Sequence, residues 1–355
     1  MTGKKWGIGF LVAVLALLIL LGGFVVVIDP FFHYHAPILG LQYPLNNQRY
    51  QNDGIVKHFE YDAIITGTSM TENFKASEFD ELFGCNTVKV SLSGGSFREV
   101  NEMLARAAKS NSNLKYIIRS IDGSYLELDK DYQIRNYYPD YLYNEIIFDD
   151  VEYIFNKDVL IKNCPSILVY TLSGQKTTTF DVYSNWMNRF TFGKETVDGT
   201  YSRPTAVDTQ PFLTDEQKKH LNENIQQNFI DLAKGYPNIE FYVFFPPYSI
   251  YYWDEINQTG KINSWPQAQE LATQLLLEQE NIHVFSFFDE YDMICDLDNY
   301  KDSTHYGEWV NSQILHWMKS GEHQLTKDNY QDYYRRIRSF YSTYDYDSLF
   351  EIPEN

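Results

Sequence analysis

The longest uninterrupted apolar run in the chain is residues 6–28, almost wholly Leu, Val, Ile, Ala, Gly and Phe, with no charge. About 20 such residues suffice for a helix to cross the hydrocarbon of a bilayer, so a transmembrane helix is expected here, with residues 1–5 as a cytoplasmic stub. Lys4 and Lys5 precede the run and Asp29 follows it. Positive charge is retained on the cytoplasmic side, which places the bulk of the chain outside, on a single-pass anchor in the cell membrane. A cleaved signal peptide is the competing reading. Against it, the run exceeds the usual apolar core of a signal peptide, and no small-x-small site stands before Asp29-Pro30.

Beyond the anchor the apolar pattern changes. Residues 29–60 hold Pro37 and Pro44 with few periodic positions, and read as an extended lead-in. From Tyr61 short apolar runs alternate with helical periodicity. Ala63, Ile64 and Ile65 form a buried strand, residues 86–92 a second and residues 114–121 a third. Between the second and third, residues 97–110 space Val100, Met103, Leu104, Ala107 and Ala108 as one helical face. The alternation lapses over about 129–211, where Tyr, Asn, Asp and Thr dominate. This is expected to be an insertion with some helix around 149–162. It resumes with a helix opened by Thr214 (Leu221, Ile225, Phe229 and Leu232 on one face), a strand at 239–245 stopped by Pro246-Pro247, a helix at 265–279, a strand at 282–288 and a helix at 307–319. Strands alternating with helices imply an α/β fold: a doubly wound parallel sheet flanked by helices over residues 61–320. The remainder, 321–355, is a Tyr- and Asp-rich tail in which Arg335, Arg336 and Arg338 cluster, suited to a peripheral helix or a partner contact.

Charge and composition narrow the function classes. Asp plus Glu total 48 against 29 Lys plus Arg, a formal net charge of −19. That balance argues against nucleic acid and against adhesion to an anionic surface. Cys85, Cys164 and Cys295 are far apart and lack metal-ligand spacing, so neither a disulfide framework nor a zinc site is expected. His33 and His35 lack further ligands at matched spacing, and no metal or cofactor is expected. The 29 Tyr suit ordinary half-buried positions, although Tyr-rich surfaces also hold sugars and proteins.

Two stretches carry candidate chemistry. In Gly67-Thr68-Ser69, glycine permits a sharp turn at the carboxyl end of the first strand, the edge where open α/β sheets place ligands and nucleophiles. Ser69-Met70-Thr71-Glu72 equally fits a capping box, in which the serine only satisfies helix N–H groups. In Asp302-Ser303-Thr304-His305, a carboxylate and an imidazole three residues apart can orient a base for a serine nucleophile. Helix capping and a surface histidine are the plainer alternatives. Both stretches follow parallel strands, so a doubly wound sheet brings them to one edge.

Gly67-Thr68-Ser69, the Gly94-Gly95 turn and Asp302-Ser303-Thr304-His305 together resemble the blocks of the SGNH hydrolase superfamily, over roughly residues 60–320. The anchor followed by such a domain is similar to its membrane-anchored DltD-like and alginate-acetylation-like branch, whose members act on cell-envelope polymers beside membrane-bound O-acyltransferases. The resemblance implies Ser69 as nucleophile, His305 as base and Asp302 as its orienting acid, with backbone N–H groups of Ser69 and of Gly94 or Gly95 in an oxyanion hole. It implies a serine acyltransferase or esterase acting on O-acyl groups of an envelope glycan or teichoic-type polymer. One position departs from the family pattern: Asp122 stands where a third block supplies Asn. An ionised Asp122 facing an oxyanion would repel it, so this residue is expected to be turned away, protonated or differently employed. A non-catalytic assembly or sugar-binding protein that partners a membrane O-acyltransferase is the alternative from another class.

Overall fold

The computed structural model describes residues 3–134 and 138–350. Met1 and Thr2 of the expected stub, residues 135–137 of the insertion and residues 351–355 of the tail lie outside them.

Two compact units form. One comprises residues 1–60 and 135–184, the other residues 61–134 and 185–355. In the first, Gly3–Ile28 is a single helix of 26 residues with a mean hydropathy of 3.2 over its most apolar window. It is long and apolar enough to cross a membrane, as a signal anchor or single-pass helix would. The lead-in departs from the extended expectation, because Gln48–His58 is helical. Its apolar pattern is faint because the helix buries Gln51, Asn52 and Asp53 beside Ile55 and Val56. Gly54 also lets the helix approach closely: a Cβ there would lie 2.4 Å from the Phe31 and Phe32 carbonyl oxygens. The expected helix near 149–162 becomes Val151–Ile154, a π-turn at Val159–Asn163 and Cys164–Leu172, ten residues further than the polar pattern suggests.

The second unit is a mixed α/β body around a six-stranded sheet. Its strands are β1 (Ala63–Thr66), β2 (Thr87–Lys89), β3 (Tyr116–Ser120), β4 (Glu240–Phe245), β5 (Ile282–Ser286) and β6 (Gln324–Leu325), in the spatial order β2-β1-β3-β4-β5-β6. The first five are parallel and β6 is antiparallel at the edge. β1 is buried along its whole length, as its apolar run requires. The strand order reverses direction between β1 and β3. Loops leaving the carboxyl ends of these two strands diverge and open a crevice.

Helices flank this sheet. Phe97–Ser110 opens with a capping box, the Ser96 side chain accepting from Glu99 N–H and the Glu99 carboxylate accepting from Ser96 N–H. Asp215–Ile225 opens with another between Thr214 and Gln217, and continues through a π-turn to Gly235 with Leu221, Ile225, Phe229 and Leu232 buried. The tail is part of the core rather than peripheral. Tyr330–Thr343 is a helix whose Tyr333, Tyr334, Ile337 and Tyr341 are buried, with Tyr341 stacked on Trp253 at 3.5 Å and 3°. The arginine cluster is taken up by carboxylates: Arg338 meets Glu270, Arg335 meets Asp332, and Arg336 lies 3.7 Å from Asp289.

Candidate active site

The turn after β1 places Ser69. Gly67 has φ +138°, and a Cβ on it would fall 2.3 Å from Ser120 Oγ, so the turn can press against β3 only without a side chain. Ser69–Thr71 is one 3-10 turn, and its cap is Thr68, whose Oγ1 accepts from Met70 N–H. The capping-box reading of Ser69 is therefore not realised, and Ser69 Oγ is free for other use. Lys89 of β2, itself buried, holds the segment that follows, donating from Nζ to the carbonyls of Glu72 and Phe74.

The loop before helix Glu308–Ser320 places the histidine. Tyr300 and Tyr306 pair as a β-bridge, Lys301 N–H donates to His305 O, and Tyr300 OH donates to Pro247 O after β4. Ser249 secures the loop's middle, donating from N–H and Oγ to Ser303 O. Within the loop, Asp302 Oδ1 accepts from the backbone N–H of Thr304 and of His305, and both carboxylate oxygens lie 2.9 Å from His305 Nδ1.

These two pieces meet. Ser69 Oγ lies 2.8 Å from His305 Nε2. A carboxylate only accepts, so the contact with Asp302 fixes the proton on Nδ1 and leaves Nε2 as the acceptor for the serine hydroxyl. Burial pushes the Asp302 carboxyl up, but the hydrogen bond and charge of His305, then Lys301 Nζ at 2.8 Å, hold it well below the usual carboxylate range. The Trp186 ring stands edge-on to the imidazole at 5.7 Å, and Lys301 Nζ lies over the same indole and over Phe190.

A cavity of about 520 Å³ opens at Ser69 and His305. Gly94 lines it, with φ +64°, and among the described residues neither the Gly94 nor the Ser69 N–H has an intramolecular acceptor. The Gly95 N–H is spent on Leu92 O at 2.7 Å, so of the two glycines only Gly94 has a donor to offer. Its lining includes Tyr125, Tyr252 and Trp265, with Glu127, Glu255 and Lys261 among the charged groups.

Asp122, at the end of β3, lines the same cavity but has its oxygens occupied. Thr68 Oγ1, Ser120 Oγ and Tyr248 OH all donate to it, at 3.0–3.1 Å. Burial pushes its carboxyl above the ordinary range, with the Tyr248, Thr68 and Ser120 hydroxyls offsetting part of that rise. The same burial, with Asp122 adjacent, drives the Tyr248 hydroxyl well up. Thr68, Ser120, Tyr248, Lys301 and Trp186 are residues the sequence reading passes over. A signal existed for two of them: Tyr248 follows Pro246-Pro247 at the carboxyl end of β4, and Lys301 adjoins Asp302.

The two early histidines are not part of this site. His33 Nε2 lies 3.0 Å from Asp150, and His35 reaches the carbonyls of Val26 and Ala36, all in the first unit. Among the described residues no three His, Cys, Asp or Glu side chains gather as a metal site.

No protein-family model matches the chain, and no curated protein matches it. Among solved structures, the chain is similar to one from Streptococcus pneumonia provisionally described as a platelet activating factor. The identity is 14% and the TM-score 0.37, over 78% of this chain and 90% of that one.

Proposed function

We propose that this protein is a membrane-anchored serine esterase or acyltransferase of the SGNH type, with Ser69 as nucleophile, His305 as general base and Asp302 as its orienting carboxylate. The observation that carries the reading is the unbroken relay from Ser69 Oγ through Nε2 and Nδ1 of His305 to Asp302, at 2.8 and 2.9 Å. Ser69 Oγ attacks the carbonyl carbon of an O-acyl ester while its proton passes to Nε2. The oxyanion is received by the N–H groups of Ser69 and Gly94, each donor of this kind contributing about 2.7–4 kcal/mol to such steps. Nε2 then returns the proton to the leaving alcohol, and the acyl-Ser69 ester is resolved by water or by a second hydroxyl.

Asp122 fits this reading as a support of the turn that holds Ser69, through Thr68, and not as a group facing the oxyanion. The aromatic lining of Tyr125, Tyr252 and Trp265 suits a sugar ring, and the anchor helix suits an enzyme of the outer membrane face, acting on an envelope glycan or teichoic-type polymer and supplied by a membrane-bound O-acyltransferase. The test uses the full chain in detergent with p-nitrophenyl acetate. Wild type is expected to release p-nitrophenol and Ser69→Ala to fall to the uncatalysed background. A polyol acceptor that diverts acetyl from water to itself marks transfer over hydrolysis. Equal rates for wild type and Ser69→Ala would overturn the proposal.

A further inference from the structure

The unit that carries the anchor helix displays an apolar surface that its own core leaves outside. Ile147, Phe148, Phe155, Ile161, Val169 and Leu172 are between 40% and 92% exposed. Along Cys164–Leu172 the pattern is ordered: Val169 and Leu172 lie on one side of the helix, and the buried Cys164 and Ile167 on another. Charge is concentrated in the first half of residues 146–172, where 146–158 carry Asp149, Asp150, Glu152, Lys157 and Asp158. Residues 159–172 contain no carboxylate and a single Lys162, in a chain whose net charge is −19.

The depth of this surface follows from its packing on the anchor. A Cβ on Gly22 would lie 3.2 Å from Ile154 Cγ2 and 3.9 Å from Phe155 Cζ, so these residues rest against the helix well before its end at Ile28. At 1.5 Å per residue the contact lies about 9 Å short of that end. Counting about 20 residues of hydrocarbon from Trp6 places the far boundary of the bilayer core near residue 25. Ile154 and Phe155 therefore stand at or inside that boundary whenever the helix spans.

We propose that residues 146–172 form a second membrane contact, an apolar face seated in the headgroup–acyl boundary of the bilayer that the anchor crosses, with lipid chains as its occupant. This rests on the reading of Gly3–Ile28 as a membrane-spanning helix. The face adjoins that helix where Ile154 and Phe155 pack at Gly22, and apolar faces of amphipathic helices lying in the interface sink about 5–10 Å into the boundary. Apolar burial drives the contact, and anionic headgroups are not required.

The test reconstitutes the full chain in phosphatidylcholine vesicles that contain a lipid with a photoactivatable diazirine on its acyl chain, followed by irradiation, digestion and mass spectrometry. Adducts are expected on peptides from 6–28 and from 146–172. The second set should be several-fold above the exposed apolar Val207 and Phe212 of the other unit, and should not rise when part of the lipid is replaced by phosphatidylglycerol. Phe148→Glu with Leu172→Glu should lower adducts in 146–172 several-fold and leave those in 6–28. Adducts on 6–28 alone would overturn the second contact while keeping the anchor. Adducts on neither would overturn the anchor and this inference together. Equal yields at 207–212 and 146–172 would show unspecific labelling and overturn it too.

Discussion

Asp302 and Asp122 flank the same serine and histidine and are shifted in opposite directions, which gives each a distinct signature in solution. The Asp302 carboxyl is held below its unfolded value near 4, so its contribution to stability is fully present above that value and is lost as pH falls through the folded one. The Asp122 carboxyl is raised, so the folded state binds the extra proton and stability declines as pH rises from about 4 through the folded value. Denaturant titrations between about pH 3 and 8 check both signs. The stability gap between wild type and Asp302→Asn should narrow as pH drops below about 4, and Asp122→Asn should gain on wild type as pH climbs above it. Parallel curves for all three proteins would contradict these shifts. In turnover, Asp302→Asn should cost up to about 10⁴-fold in kcat, since the wrong tautomer then faces Ser69.

At this scale Asp302 and His305 are legible in the sequence because one turn of chain brings them together. Ser69 is legible because an apolar strand ends in Gly-x-Ser. The hydroxyls on Asp122 are not: Thr68 and Tyr248 reach it from 54 and 126 residues away, and although Tyr248 follows Pro246-Pro247, nothing in the sequence pairs either hydroxyl with Asp122. Three hydroxyls, of Thr68, Ser120 and Tyr248, donate to the Asp122 carboxylate.

Among elements, the β1 turn bears most directly on the site. Gly67 is the one position in it where a methyl group meets Ser120 Oγ at 2.3 Å and Ser120 N at 3.1 Å. Gly67→Ala should therefore cost about 1–3 kcal/mol and lower kcat more than it raises KM, because the strain falls on the placement of Ser69. Thermal unfolding beside ester hydrolysis checks both halves. Unchanged stability with unchanged turnover would show that the turn has slack.

Elements with strong periodicity are legible, as with Phe97–Ser110 and Asp215–Ile225, whose apolar positions recur at helical spacing. Those stabilised by burial of polar groups are not. Gln48–His58 buries Gln51, Asn52 and Asp53, and its pattern is faint for that reason. Strand β6 has two residues, too few for any period, and exists because it pairs with β5. The tail helix Tyr330–Thr343 reads as surface because Tyr serves both surface and core, and here five of its side chains are buried.

For the whole molecule, the arrangement of Lys4 and Lys5, the apolar helix and Asp29 sets an expected topology. In intact cells a tag at the carboxyl terminus should be cut by external protease, and a tag at the amino terminus should be protected until the membrane is opened. The reverse pattern would place Ser69 in the cytoplasm and remove an envelope polymer as its substrate. The α/β class is visible from alternation alone, whereas the division into two units is not. Residues 135–184 join 1–60, and residues 185–211 stay with the sheet, where Trp186 meets His305. The apolar alternation lapses over the whole of 129–211, so periodicity does not mark that division.

The central claim is that Ser69 is an activated nucleophile, and covalent capture tests it most directly. The folded full-length chain would be treated with a fluorophosphonate and the modified peptide identified by mass spectrometry. One phosphonyl group should be found on Ser69, and labelling should be slowed by orders of magnitude in His305→Gln. A folded chain that stays unlabelled at Ser69, or that labels equally fast without His305, would contradict the account.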